Sequence, residues 1–223
     1  MTAKLFFRAI TAFAAGLLIV GLLLFLPAGT FSFMNAWLLI GILFVPMFIA
    51  GIVMMIVNPD LLAKRLNAKE KQGEQKKVIA LSGLMFIAAF IVAGLNFRFG
   101  WIILPVWASY VGAGIFILAY ILYAEVLREN VYLSRTIEVQ EGQKVIDKGL
   151  YGIVRHPMYM ATVILFLSMP LVLGSVISFV IMLFYIPLII LRIRNEEIVL
   201  KEGLEGYNEY MKKVRFRLIP FIW

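Results

Sequence analysis

The chain is 223 residues long and 63% hydrophobic, where soluble domains run at roughly 45–50%, so it reads as an integral membrane protein with no separable soluble domain. Its formal net charge of +8 lies in loops, where anionic headgroups account for it, and no basic, aromatic-interleaved surface exists to hold nucleic acid. No cysteine and a single histidine exclude disulfides, thiolate nucleophiles and the Cys- or His-based metal sites, H-E-x-x-H among them.

Four apolar runs are long enough to cross a bilayer, which takes about 20 helical residues. The first, residues 5–26, ends at Pro27 and Gly29. It is longer than the roughly 7–15-residue apolar region of a signal peptide, and no A-x-A cleavage site follows, so it is expected to stay as a helix. The second covers residues 34–57 and ends at "NPD"; the third covers 78–95; the fourth runs from 101 to 126. Trp37, Trp101 and Trp223 stand near run ends or the terminus, as interfacial aromatics do.

The loops alternate in charge. "PAGTFSF" has none, whereas the loop after the second run carries Lys64, Arg65, Lys69, Lys71, Lys76 and Lys77. The positive-inside rule places this loop, the N-terminus and the polar stretch 128–155 in the cytoplasm. Residues 158–193 are too long and apolar for one unbroken helix. Pro170, Gly174 and Ser175 mark a turn near the middle, so the segment is expected to cross and return. The tail, 194–223, then lies on the cytoplasmic side. Its stretch "NEEIVLKEGLEGYNEYMKKV" suits an amphipathic helix lying on the membrane, with Ile198, Leu200 and Leu204 as its apolar residues and Gly203 and Gly206 weakening or ending it. No internal repeat suggests a transporter built from inverted halves. The expected fold is an all-α integral membrane protein: four transmembrane helices, a C-terminal transmembrane hairpin and a cytoplasmic amphipathic tail helix.

The hairpin brings two polar segments to one face. Before it stand Gly149, Tyr151, Arg155, His156, Pro157 and Tyr159; after it stand Arg192, Arg194, Glu196, Glu197, Tyr207 and Tyr210. Pro157 fits the first position of a helix, where its missing N–H costs nothing, so His156 falls at the N-cap. The dipole there favours a neutral imidazole or a bound anion. Arg192 and Glu196 are four apart on one helix face. Arg192 lies just inside the apolar run, where a charge usually faces a protein interior or a cavity. Each of these residues also has a plain reading as an interfacial anchor or ion pair. "VGAGIFI" has Ile117 where G-x-G-x-x-G needs its third glycine, so Gly112 and Gly114 suit close helix packing. Glu125 and Glu129 have no second acidic pair opposite them that would make a hydrolase.

"GLYGIVRHPMYMATVILFLSMPLVLGS" followed by "RIRNEEIVLKEGLEGYNEYMKKVRFRLIP" closely resembles the isoprenylcysteine carboxyl methyltransferase family. The pattern G-x-Y, R-H-P-x-Y, E-E and Y-x-x-Y stands here in order, over about residues 128–223. The earlier spans resemble the family in layout only, though "NPDLLAKRLN" and "NVYLSRTIEVQEGQKVIDKG" look like its prokaryotic members. The resemblance divides the chain into N-terminal transmembrane helices, 1–127, and a cofactor-binding and catalytic core, 128–223, within one membrane domain. It implies S-adenosylmethionine as cofactor, bound without a Rossmann fold between the two polar segments. Carried over by motif, the cofactor contacts fall on Gln143, Lys144, Val145, Ile146, Tyr151, His156, Pro157, Met158, Tyr159 and Glu196. The first four are placed only by their distance to Gly149 and Tyr151, and Leu150 departs from the proline usual between those two. The family's substrate-contacting arginine falls on Arg192, and Glu196 would support the cofactor's cationic end.

The implied acceptor is a lipophilic carboxylate, isoprenylcysteine-like or another isoprenoid or lipid acid, arriving from the bilayer while the cofactor arrives from the cytoplasm. A carboxylate is already a nucleophile at neutral pH, so no general base and no metal are needed. Two enzymatic alternatives share a similar C-terminal half: a phospholipid amine N-methyltransferase, which needs an uncharged amine, and a membrane NADPH reductase of the sterol-reductase type, which needs a larger pocket. A scaffold or transporter would leave the Arg/His/Glu/Tyr cluster unexplained. Surrounding membrane lipids are the other expected partners, and no feature fixes an oligomeric state.

Overall fold

The computed structural model describes residues 3–67, 73–134 and 136–223; Lys69 and Lys71 of the basic loop lie outside them. The regular structure of the described residues is helical, apart from one isolated bridge between Ile103 and Ser175. In order come α1 (Ala3–Ala28), α2 (Met34–Val57), α3 (Pro59–Leu66), α4 (Gly73–Phe99), α5 (Val106–Glu129), a 3-10 turn (Gly149–Gly152), α6 (Pro157–Val172), α7 (Val176–Met182), α8 (Tyr185–Gly203) and α9 (Tyr207–Lys213). Among the described residues, five helical stretches are long and apolar enough to cross a membrane: α1, α2, α4, α5 and the near-continuous α7–α8, Val176–Gly203. The chain is a multi-pass integral membrane protein.

The four N-terminal spans fall where the apolar runs place them, although α4 begins at Gly73, inside the basic loop. The Asn58 side chain accepts the Leu61 N–H and caps α3, with Pro59 at its first position. That one-two signal for a new helix stood in "NPD".

The hairpin turns at Gly174, whose φ of +72° is a left-handed conformation that glycine adopts without strain. Ser175 then caps α7 by accepting the Ser178 N–H at 3.3 Å. At this end of the bundle Leu104 N donates to Gly174 O at 2.9 Å. The hairpin's arms are unequal. The ascending arm, α6, has 16 residues, about 24 Å at 1.5 Å per residue, which falls short of the roughly 30 Å hydrocarbon layer. The return arm has 28 residues and overshoots it.

One apolar cluster ties the hairpin to the N-terminal helices: Leu24, Leu39, Ala89, Phe116, Met169 and Ile189 all belong to it. Gly112 makes the α5–α6 seam possible, since a Cβ there would lie 2.8 Å from Leu171 Cβ and 2.9 Å from Val172 N. The packing role expected of Gly112 is observed; Gly114 meets nothing within 4 Å.

The tail departs from expectation. Residues 194–203 continue α8 rather than starting a surface helix, because their i, i+4 pattern joins the hairpin's without a breaker. The helix ends at Gly203 with Leu204 extended at its C-cap, and Gly206, at φ +80°, forms the N-cap of α9. Only α9 follows: Tyr207, Tyr210 and Leu204 pack with Val214, Val139 and Val145 in a small separate core. Ile198 stays exposed. The tail's apolar residues cover a loop of their own chain.

Candidate functional site

The segment before α6 is fastened to the C-terminus. Arg155 N donates to Phe216 O and His156 N to Arg217 O, each at 2.9 Å. Arg155 Nη1 donates to Val214 O at 2.9 Å and Arg215 O at 3.0 Å. The charges converge on Glu197 of α8. Its Oε1 accepts Arg155 Nε at 2.8 Å and lies 3.4 Å from His156 Nε2, and its Oε2 accepts Arg217 Nε at 3.0 Å. Burying a carboxylate is tolerable only when it is paired and hydrogen-bonded in this way. His156 takes the N-cap position of α6 as expected, but its side chain caps nothing; the ring turns to Glu197 and stacks on Tyr159, 5.7 Å between centroids.

Beside this clamp lies a cavity of about 840 Å³, a figure that includes space open to solvent. Its walls contain Gln143, Lys144, Val145, Ile146, Tyr151, His156, Met158, Tyr159, Arg192 and Glu196. Every residue expected at the site therefore meets around one space, except Pro157, which is buried at the first position of α6 and is absent from the wall. Arg194 points outward and is exposed.

Arg192 and Glu196 are joined through a third residue. Arg192 Nε donates to the Tyr159 hydroxyl at 3.0 Å, and that hydroxyl donates to Glu196 Oε2. The Arg192 guanidinium also sits 6.0 Å from the Tyr159 ring centre. Its Nη1 donates to Oε1 of Gln75, on α4, at 3.1 Å. The pair is thus part of a network spanning three helices rather than a surface ion pair.

The roof is the loop 130–148, closed at both ends by polar anchors. Glu129, at the last turn of α5, accepts the Leu150 N–H with both oxygens, at 3.1 and 3.0 Å. It is a cap for the 3-10 turn, not half of a carboxylate pair. Gly149 is required there: its φ is +58°, and a Cβ would fall 1.8 Å from Glu129 Oε1. Asn130 Nδ2 donates to the Tyr151 hydroxyl at 3.0 Å, and the Tyr210 hydroxyl donates to Tyr151 O at 2.7 Å. Burial pushes the hydroxyls of Tyr151, Tyr207 and Tyr210 upward, so all three stay protonated donors. Tyr207 lines the cavity, and its hydroxyl is buried without a partner.

Asn130, Tyr132, Ser134, Thr136 and Glu138 also line the cavity and carried no signal of their own, since the loop has no period to read. Leu200 and Leu204 were assigned to a membrane-facing stripe and instead face this space.

Residues 111–202 match the family described as "Isoprenylcysteine carboxyl methyltransferase (ICMT) family". A Delta(14)-sterol reductase of Mus musculus, TM7SF2, is 31% identical over 91 residues, 40% of this chain. The chain spans about a fifth of that relative's length, 22%. The solved structure of a eukaryotic intramembrane Ras methyltransferase, ICMT, shares the fold with a TM-score of 0.58, at 20% identity, covering 96% of this chain and 77% of that one. Residues 111–202, which carry the walls of the cavity from the end of α5 to the Arg192–Glu196 pair, are thus the part of this chain that is similar to the isoprenylcysteine carboxyl methyltransferase family, and the fold is shared with the solved methyltransferase.

Proposed function

We propose that the protein is an integral-membrane methyltransferase that uses S-adenosylmethionine to esterify a lipophilic carboxylate, isoprenylcysteine-like or another isoprenoid or lipid acid. The observation that carries this is the junction at Tyr159: a cation-bearing group, Arg192, and an anion, Glu196, held apart by one hydroxyl on the wall of a single cavity. That is one site for a carboxylate beside one for a sulfonium.

The chain's own groups suit the cofactor. The Tyr207 hydroxyl is a buried donor with no protein partner on the cavity wall, which marks a place where a ligand acceptor belongs. Val145, Ile146, Leu200 and Leu204 give an apolar surface for a base, and Gln143, Lys144, Tyr151, His156, Met158 and Tyr159 complete the wall. When bound, S-adenosylmethionine supplies an electrophilic methyl carbon, and a carboxylate oxygen bonds to it as the C–S pair returns to sulfur, with no proton moved.

The residues position and balance charge. Arg192 holds the carboxylate with guanidinium hydrogen bonds. Glu196 faces the cationic side. Tyr159 keeps the two from collapsing into a pair of their own. His156, tied to Glu197 and stacked on Tyr159, orients the wall and neither gives nor takes a proton. The basic residues Lys64, Arg65, Lys76 and Lys77 lie at the cavity's end of the bundle, which supports the reading of a site and termini on the cytoplasmic side.

Calorimetry on the purified protein tests the reading. It expects S-adenosylmethionine or its demethylated product to bind at micromolar level, and methyl transfer from labelled cofactor to a prenylcysteine analogue. Binding of NADPH in its place would move the protein to the reductase chemistry of the sterol reductase it resembles over 91 residues. Methylation of amine lipids alone would move it to the N-methyltransferases.

A further inference from the structure

We propose that the turn 218–223 is an interfacial anchor: it sets Phe221 and Ile222 into the lipid leaflet on the cavity's side of the membrane, while Lys212 and Arg215 beside it meet anionic headgroups.

The turn is closed rather than frayed. Leu218 N and Ile219 N both donate to Trp223 O, at 2.8 and 3.0 Å, and Ile222 N and Trp223 N both donate to Ile219 O, at 3.1 Å. Leu218 is buried in the apolar cluster that ties the hairpin to the N-terminal helices, and Trp223 packs against that cluster. The Arg217 guanidinium lies 5.4 Å from the centre of the Trp223 ring, and its Nε on Glu197 fastens the turn to α8. What this frame holds outward is apolar. Phe221 is 87% exposed, Ile222 is 76% exposed, and Ile219 is exposed beside them. Phe221 also has a φ of +65°, a left-handed backbone that a bulky residue rarely takes. Its ring meets Phe216, 5.4 Å between centroids, and otherwise faces out. Strain of this kind persists where the surrounding structure imposes it, and an outward apolar patch marks a contact surface.

Height decides what the patch meets. Ser175, just before the return arm, bridges Ile103, two residues past Trp101, so the hairpin turn lies at the membrane's opposite border, where an interfacial tryptophan belongs. From Val176 to Glu197 the return arm rises about 32 Å at 1.5 Å per residue, close to the roughly 30 Å hydrocarbon layer. Glu197, and with it the turn fastened through Arg217, stands where tails give way to headgroups. Apolar side chains facing outward at that level enter the acyl edge of the leaflet. Lys212 and Arg215 are exposed a few residues earlier, with the sign of charge that anionic headgroups attract. A protein partner would have to reach the patch through those headgroups.

The chain has no cysteine, so Phe221→Cys creates a single labelling site, and Ile222→Cys serves if that variant does not fold. Glu205→Cys, exposed beyond the end of α8, is the reference. A bimane label is read in nanodiscs of phosphatidylcholine and phosphatidylglycerol, with a nitroxide quencher on the acyl chains of one lipid or the other. Quenching at position 221 is expected to exceed that at position 205 at least about threefold. Quencher on phosphatidylglycerol should act at least about twofold more strongly than quencher on phosphatidylcholine, and adding Lys212→Gln with Arg215→Gln should bring the two lipids to parity. A label at 221 quenched no more than the one at 205 overturns the anchor. Parity of the two lipids with both basic residues in place overturns the anionic leaflet as partner. A label shielded from lipid quencher and from aqueous iodide alike marks a protein occupant, a second copy or another chain, and overturns the proposal as well.

Discussion

Arg155 and Glu197 form a 2.8 Å ion pair with side chains only 4% and 3% exposed. It joins the segment just before α6 to the last turns of the hairpin's return arm, and Arg217 adds the C-terminal segment to the same carboxylate. Removing one member of a buried pair strands the other, at about 3–5 kcal/mol. Glu197→Ala is expected to lower the thermal midpoint steeply or abolish folded protein, as followed by fluorescence-detected gel filtration. The exposed pair Lys213–Asp147, 66% and 39% exposed, is the control. The Lys213 hydrogen bond holds the Asp147 carboxyl below its usual range. Its small contribution is therefore present above the ordinary carboxylate pKa and fades as pH falls through the lowered value. Lys213→Ala should leave the midpoint nearly unchanged, since solvent screens an exposed pair.

Glu196 and Arg192 are expected to separate binding from turnover. Glu196→Gln should weaken cofactor binding by about 10- to 100-fold, the loss of a charge-assisted contact. Arg192→Ala should cut turnover with a carboxylate acceptor by a similar factor and leave calorimetric cofactor affinity largely intact. An Arg192→Ala enzyme with unchanged turnover would refute its role as the carboxylate's holder.

Tyr207→Phe removes a hydroxyl that has no partner in the protein. The free protein should be as stable as wild type or slightly more so, since a buried donor without a partner is costly. Cofactor affinity should fall by about 1 kcal/mol, roughly fivefold. Opposite signs in the two measurements distinguish a ligand-facing hydroxyl from a structural one.

Gly149→Ala meets both a left-handed backbone and the Glu129 carboxylate. It should unseat the roof loop and weaken cofactor binding by at least about 1–2 kcal/mol. Adding Glu129→Ala relieves the collision but not the backbone strain, so recovery in the double variant should be partial.

How far the sequence could be read depended on periodicity. The four N-terminal spans and the hairpin turn were legible, because apolar run length and Gly174 state them directly. The adjacent acids were legible as a pair but not in their division of labour. Consecutive residues on a helix point about 100° apart, so Glu196 faces the cavity while Glu197 faces Arg155. Which does which depends on how α8 is rotated, and packing decides that. The packing of the tail was not legible because an apolar stripe looks the same whether it meets lipid or a loop; Tyr207 and Tyr210 meet Val139 and Val145. Gln75 could not be found at all, since nothing local links it to Arg192.

The unequal arms of the hairpin leave a step in height. The return arm climbs past the point where α6 begins, and Arg192 stands where the apolar run gives way to charge. On the proposed reading, a lipophilic acceptor held there keeps its chain dissolved among lipid tails throughout. The quantity that sets its occupancy is then its mole fraction in the leaflet, not its amount per litre of buffer. Diluting the acceptor with inert lipid would slow the protein, whereas adding water would not.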